Sequence, residues 1–581
     1  MASYIRRLTI ERFRGISSLT WYPSSRVNII LGGGDVGKTT ILDAIALLLN
    51  PTTVYVVTDA DYWRRDVSSE FVIEAVMSLP DVTAISQQSK MSWPWEWDGE
   101  KPVLPLGNDD QAKPGDPVYC VRVRGTSDIE LAYEIVQPDD SIEAFSVGLR
   151  RAIGLVRLAG DDRNDRDLRL VQGSGLDRLL TDKGLRSRLG QQMATADVKD
   201  QLKQEAQTAL CNLESSFEKR ALPTGLGLGI TGGPGISLNA LVGLTAEKEG
   251  VILPLASWGA GTRRLAALAI ADALQEERPI TVVDEIEKGL EPYRQRTLIK
   301  NLRESSAQVF ITTHSAAALN AASDAALWYL DAKGKIGQLL NQKIARQQKL
   351  DPDTFLARLA VVCEGATEVG FASVVLGKVI GNFIEQGVWI TDGGGHESTL
   401  DLLEALSAGG LSFAGIVDNE EKWPERWAKI KARLGALLVQ WPDGCLEQHV
   451  IPMFEPTTLP SLLEDPEGIR TGMRLRSLAD RLEIEQADIE CIKAAAGDRF
   501  TQLIVDAAIG RVPEKFATAD DNKKKQFKGY ASVWFKSLEG GRELADKIFR
   551  LGAWPKLQPG VLPFLNAVRQ AIGLPVTADL N

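Results

Sequence analysis

Short apolar runs alternate with helix-spaced stretches along most of this chain. Arg26-Val27-Asn28-Ile29-Ile30-Leu31 predicts a buried strand, and residues 39–49 predict a helix directly after it. Ahead of that pair, Ile5-Arg6-Arg7-Leu8-Thr9-Ile10 alternates in part and predicts an edge strand. Residues 70–77, 118–123 and 131–136 predict further strands, the last two as a pair. Residues 88–117 are rich in Trp, Pro, Asp and Gly and predict a surface loop. Trp93, Trp95 and Trp97 there suit stacking on a base or partner less well than anchoring the loop. From 142 to 222 the pattern turns helical and charged, with helices expected over 176–189 and 197–217 and a solvated loop over 161–167. The glycine-rich stretch 225–233 predicts a flexible return. Apolar runs recur at 279–283, 309–313, 359–363, 388–391 and 412–417, and residues 465–581 predict mostly helix. The alternation points to an α/β architecture.

The candidate chemistry sits at the ends of these apolar runs. Gly32-Gly33-Gly34-Asp35-Val36-Gly37-Lys38-Thr39-Thr40 fits the phosphate-loop pattern G-x-x-x-x-G-K-[ST] in its required strand–loop–helix setting. Glycines let backbone amides close around phosphates, and the helix N-terminus adds positive potential. Gly32, Gly34, Asp35, Gly37, Lys38, Thr39 and Thr40 are therefore expected to hold ATP, with Lys38 on the β- and γ-phosphates and Thr39 on Mg²⁺. The run ending Val283-Asp284-Glu285 places two acids at a strand end. Asp284 is expected to hold the Mg²⁺, and Glu285 to polarise the attacking water. The next run ends at His314, a candidate γ-phosphate sensor.

A second set of acids lies after later strands. Glu364 and Glu368 form Glu-Gly-x-x-Glu after one, and Asp418 and Glu420 form Asp-x-Glu after another. Between them lies Asp392-Gly393-Gly394-Gly395-His396, a strand end and glycine turn. Adjacent parallel strands bring their ends together, so these carboxylates are expected to converge. Massed like charges repel unless cations lie between them, and hard oxygen ligands suit Mg²⁺ or Mn²⁺.

Composition narrows the class. The 581 residues allow about three or four domains. No apolar run reaches membrane-spanning length, and the N-terminus lacks a signal-peptide core, so a cytoplasmic location is expected. Five scattered cysteines form no C-x-x-C pair, which argues against a disulfide framework or a zinc site. A net charge of −11 argues against nonspecific coating of DNA but leaves room for local basic patches. Lys523-Lys524-Lys525 and Lys528 could guide DNA, although a solvated charge run is the commoner meaning of such a stretch.

Several motifs resemble those of SMC/ABC-like ATPase heads. Phe13-Arg14-Gly15 resembles the entry to the first strands of such heads. Ser257-Trp258-Gly259-Ala260-Gly261 resembles their signature motif, in which Ser257, Gly259 and Gly261 would cap a nucleotide held by the opposite subunit. Ile286 to Pro292 resembles the D-loop, with Glu291 where relatives carry His. No glutamine-loop residue is evident, and the region around Asp61 is the candidate substitute.

The whole order resembles the OLD (overcoming lysogenisation defect) family nucleases. The resemblance implies an ATPase head at 1–141 and 223–350 with an inserted helical dimerisation region at 142–222. It implies a TOPRIM domain at 351–464 and a helical C-terminal region at 465–581. Glu364, Glu368 and Asp418 match the family's metal ligands, Glu420 stands where Asp is usual, and Glu447 is a possible further ligand. The family's C-terminal lysine would be Lys536, with Arg542 as the second candidate. The implied activity is metal-dependent DNA cleavage coupled to ATP, in a homodimer or higher even-numbered oligomer. An antiphage role with a protein or nucleic-acid partner is also implied. The rivals are an SMC-like repair scaffold that only binds DNA, and a topoisomerase- or primase-like enzyme. Tyr530 is the only tyrosine after the TOPRIM acids, and nothing around it marks a cleavage domain.

Overall fold

The computed structural model describes residues 3–51, 55–79, 94–105, 116–158, 167–171, 174–180, 202–230, 242–273, 279–331, 333–465, 468–516 and 521–577. They fold as two compact units, Met1–Gln338 and Leu339–Asn581.

The first unit is built on a six-stranded sheet. Its order is Leu155–Leu158, Ile280–Val283, Gln308–Thr312, Val27–Gly32, Ala326–Leu330 and Ile336–Leu339. The first five strands run parallel. Ile280–Val283 and Gln308–Thr312 are buried at every residue, which is why they read as unbroken apolar runs. Val283 lies opposite Ile311, and Thr312 opposite Ile30. This register brings three strand ends level, so the residues after them meet at one edge.

An antiparallel sheet of eight strands forms a second layer. Ile5, Ile10, Ile73 and Val121 on it share a core with Ile41, Leu42 and Ile45 of helix Lys38–Leu48 and with Ile30 and Phe310 of the parallel sheet. Each such aliphatic side chain contributes on the order of 1.5–3 kcal/mol by leaving water. The helix after the phosphate loop is thus clamped between two sheets.

Several expectations change. Tyr4–Phe13 is not an edge strand; it pairs with both Ile16–Trp21 and Phe71–Ser78. Its partly polar face misled the pattern, because Arg7 on that face is held by Glu74 at 3.0 Å. The 142–222 segment is not wholly helical. It contributes Leu155–Leu158 to the parallel sheet, a strand of four residues that is too short for periodicity to reveal. Helices Gly175–Leu180 and Gln204–Lys219 are present, while 161–166 and 181–201 lie outside the described residues. Within 225–233, Gly227–Ile230 pairs with Val242–Lys248 instead of forming only a flexible return. Trp95–Trp97 pairs with Asp116–Gly125 inside the expected loop, and Trp95 Nε1 donates to Val136 O at 2.9 Å. Trp95 and Trp97 therefore anchor the segment; Trp93 lies outside the described residues.

The second unit holds a parallel sheet of four strands in the order Val388–Asp392, Leu359–Cys363, Phe413–Val417 and Leu438–Gln440. Helices Ala366–Ile380, His396–Gly409 and Pro424–Leu434 connect them. The unit begins before residue 351, the expected start, because the preceding helix Gln342–Leu350 belongs to it. Gln347 Nε2 donates to Thr391 Oγ1 at 2.5 Å, and Asp351 accepts from Trp389 Nε1 and Thr391 Oγ1. Among the described residues, helices Ile469–Leu482, Ile489–Ala496, Phe500–Ala508, Leu538–Arg550 and Trp554–Ala571 join their apolar faces to the core of the parallel sheet, while Asp521–Gly529 packs Phe527 against Phe516 outside it.

Candidate functional site

In the first unit, Gly37 (φ 102°) caps helix Lys38–Leu48 and turns the loop onto the end of its strand. Lys38 Nζ donates to the carbonyls of Gly32 and Gly33 at 2.9 and 2.6 Å. Burial lowers its pKa, opposed by Asp284, Asp35, Glu285 and Glu287. Asp35 adopts a left-handed backbone (φ 57°) within the loop. Thr39 Oγ1 donates to both carboxylate oxygens of Asp284 at 3.2 Å. Thr40 extends the first turn of the same helix. A hydroxyl facing a carboxylate beside a phosphate loop is an oxygen donor set of the kind Mg²⁺ takes.

Thr312, which carries no motif signal in the sequence, ties the two strand-end acids together. Its Oγ1 donates to Asp284 Oδ1 at 2.6 Å and accepts from the Glu285 amide at 2.8 Å. Glu285 has φ 47°, a strained value for a residue with a Cβ, and its side chain is exposed. Arg264, almost fully buried, donates to the carbonyls of Asp284 and Glu285 and fixes the turn from behind. Burial brings its pKa down to about 10. His314 is exposed, and its backbone amide donates to Glu287 Oε1 at 2.8 Å.

Ser257 and Gly259 are exposed, with Ser257 Oγ bonded to Pro254 O at 2.7 Å. Gly261 differs from them: it is buried, and a Cβ there would lie 2.1 Å from Gly289 O. Its smallness serves packing against the segment after the two acids. In the region proposed to stand in for a glutamine loop, Asp61 is buried and accepts from Arg14 Nε at 2.9 Å.

In the second unit, one cleft of about 310 Å³ gathers Glu364, Glu368, Asp392, Asp418, Glu447 and Lys536 among its lining residues. Glu364 comes directly after strand Leu359–Cys363, Glu368 sits in the first turn of helix Ala366–Ile380, and Asp418 comes directly after strand Phe413–Val417. Burial pushes the Glu368 carboxyl up to about 7 and the Asp418 carboxyl up to about 8, with neighbouring carboxylates adding to both. Glu447 is buried, and its Oε1 meets no hydrogen-bond donor. Crowded carboxylates with an orphaned oxygen among them fit a divalent cation.

Glu420 does not line the cleft. It is exposed and paired with Lys422 at 2.7 Å, which lowers its pKa. It lies instead near Glu364 and His396, with one donor atom of each residue within 4.8 Å of the others. Lys536 enters the cleft, whereas Arg542 is exposed and pairs with Glu539 at 2.9 Å.

Lys536 is placed by a buried scaffold. Trp534 and Phe535 just before it are fully buried. Arg474, also fully buried, donates to Val533 O at 2.9 Å and makes two 2.7 Å bonds to Glu543. Ser537 then caps helix Leu538–Arg550 by accepting from the Gly540 amide. His396 is the other residue to which the sequence pattern assigns no role. It bonds Glu364 through Nδ1 at 3.0 Å. The available signal was its place just after the Asp392 strand end, level with the Glu364 strand.

Residues 124–320 match a family model described as AAA domain, putative AbiEii toxin, Type IV TA system. Among solved structures, the Smc head bound to the C-terminal winged-helix domain of ScpA is 16% identical, covering 59% of this chain and 99% of that one at TM-score 0.37. The Pyrococcus furiosus Smc head with an extended coiled coil is 14% identical, covering 59% and 98% at TM-score 0.36. ATP-bound RecF of the RecFOR pathway is 13% identical, covering 58% and 99% at TM-score 0.35. Likenesses at this level carry no assignment. Comparison with curated proteins returns no match. No helix among the described residues is long and apolar enough to cross a membrane. The matched stretch, about a third of the chain, is similar to an ATPase domain of the AAA class.

Proposed function

We propose that this chain is a metal-dependent DNA endonuclease of the OLD type, with its second unit a TOPRIM domain and its first an SMC-like ATPase head. The observation that carries this reading is the shared cleft of Glu364, Glu368, Asp418, Glu447 and Lys536 at the C-terminal edge of a parallel sheet. Glu364, Glu368, Asp418 and Glu447 would hold one or two cations, with Glu420 at the rim. Bound there, Mg²⁺ or Mn²⁺ would offset the charge that develops on a phosphodiester under attack. Lys536 brings the positive charge that a phosphate oxygen needs.

The head would bind Mg²⁺-ATP through Lys38, Thr39 and Asp284, with Glu285 facing the attacking water and His314 near the γ-phosphate. The exposed Ser257 and Gly259 suit a nucleotide held by a second copy. Pairing of heads would then govern cutting, in a cytoplasmic setting and in defence against phage with a further partner. A plasmid-nicking assay crossing Mg²⁺ and Mn²⁺ with ATP, ADP and no nucleotide tests this. Cutting lost in Asp418→Ala, with its nucleotide response lost in Lys38→Ala, is expected. No cutting by the wild type with either metal would favour the DNA-binding scaffold, and a covalent protein–DNA adduct would favour a topoisomerase.

A further inference from the structure

Glu364, His396 and Trp427 form a buried hydrogen-bonded chain beside the cleft. Trp427 Nε1 donates to His396 Nε2 at 3.1 Å, and His396 Nδ1 lies 3.0 Å from Glu364 Oε2. An indole N–H can only donate, so Nε2 must be the accepting nitrogen. The ring proton is therefore on Nδ1, where it is donated to Glu364. All three residues are buried, and Trp423 stacks on the imidazole with centroids 5.9 Å apart and planes 18° apart. Trp427 is fixed by helix Pro424–Leu434, which buries it together with Ile430.

Proximity alone would make His396 a metal ligand, since it clusters with Glu364 and Glu420. Its hydrogen bonds exclude that, because both ring nitrogens are already used. The same bonds act on Glu364. Oε2 accepts from His396 and from the Asp418 amide at 3.0 Å, which leaves Oε1 for the cleft.

We propose that His396, with its tautomer locked by Trp427, is a positioning residue that holds Glu364 so that a single oxygen, Oε1, meets the cation. This rests on the metal-dependent reading of the cleft. Partners of this kind behind a metal ligand are worth about 10–100-fold in affinity. The role is distinct from packing, because it depends on which ring nitrogen is replaced. Asn at 396 places its amide N–H where Nδ1 stands and keeps the bond to Glu364. Gln reaches the Nε2 position and keeps only the partner of Trp427.

The test is Mn²⁺ affinity of the full chain, measured by calorimetry and by electron paramagnetic resonance of free Mn²⁺, with circular dichroism on each variant. His396→Asn is expected to bind within about threefold of the wild type, and His396→Gln and His396→Ala about 10–100-fold more weakly. Equal affinity in wild type and His396→Gln, or equal losses in His396→Asn and His396→Gln, would overturn the positioning role while leaving the metal site. A wild type that binds no Mn²⁺, with the same result for Asp418→Ala, would overturn the metal-dependent reading itself.

Discussion

Gly541 lies against Thr367 so closely that a Cβ on the glycine would stand 2.0 Å from the Thr367 carbonyl oxygen. The contact is reciprocal: a Cβ on Gly370 would stand 2.0 Å from Leu538 O. Helices Ala366–Ile380 and Leu538–Arg550 thus touch backbone to backbone. One carries Glu368 in its first turn, and the other begins just after Lys536. The glycine contact therefore sets the spacing between an acid and a base of the cleft. Gly541→Ala is expected to force the helices apart at a cost of about 1–3 kcal/mol. Nicking should fall steeply while ATP hydrolysis continues, since the phosphate loop lies in the other unit. A thermal melt and the two assays on one preparation check this; wild-type nicking would show that the spacing is not needed.

Lys536 and Arg542 separate cleanly by location. Lys536→Ala removes the cation that lines the cleft, and loss of one such group costs about 10²–10³ in rate. Arg542→Ala breaks only an exposed pair with Glu539, a change worth about 0–1 kcal/mol. Single-turnover nicking rates at saturating Mn²⁺ distinguish the two, and a larger loss in Arg542→Ala would reverse the assignment.

Legibility in the sequence depended on whether a residue's role is local or assembled. The phosphate loop and the acids after strands declare themselves, because a motif and its strand are contiguous in sequence. Leu155–Leu158 does not, since four residues carry no period and its partner Ile280–Val283 is far along the chain. His396 has no role legible in its own segment, because its meaning comes from Trp427 on another helix. Arg542 and Lys536 look alike in sequence; only the buried Trp534-Phe535 pair and the Arg474 brace turn Lys536 toward the cleft. The smallness of Gly261 also answers Gly289 in the same unit, a contact no motif announces.

Thr312 offers a test within the ATPase unit. Its hydroxyl is the only feature that Thr312→Val removes, and it bonds both Asp284 and the Glu285 amide. Loss leaves that amide without its described partner at a residue already strained at φ 47°. An unsatisfied buried group costs about 1–3 kcal/mol, and each 1.36 kcal/mol is tenfold in rate. The kcat for ATP should therefore fall roughly 5- to 160-fold. Nucleotide binding should persist, as judged by fluorescence of a labelled ATP analogue. Unchanged turnover would mean that the Thr312 bridge has no part in orienting Glu285.

Protons and cations compete for the cleft, and the sign of that competition is fixed by Asp418 and Glu368. Their carboxyls are pushed up to about 8 and about 7 by burial first and by neighbouring carboxylate charges second. A raised carboxyl means that the folded chain keeps protons the unfolded chain has released. Its contribution is complete below the ordinary carboxylate range and is lost as pH rises through about 7 to 8. In metal-free buffer the second unit should therefore lose stability as pH rises from the ordinary carboxylate range to about 8, and level off above that. A cation takes the place of those protons, so its binding tightens over the same window. At a hundred times its Kd a ligand adds about 2.7 kcal/mol, enough to move a melting transition by several degrees. The rise in Tm on adding Mn²⁺ is expected to be larger at pH 8.5 than at pH 6. Asp418→Asn should flatten both the metal-free slope and the Mn²⁺ response, because it removes the group with the higher of the two values. An equal Mn²⁺ shift at the two pH values in the wild type would mean that cations bind somewhere other than among these buried acids.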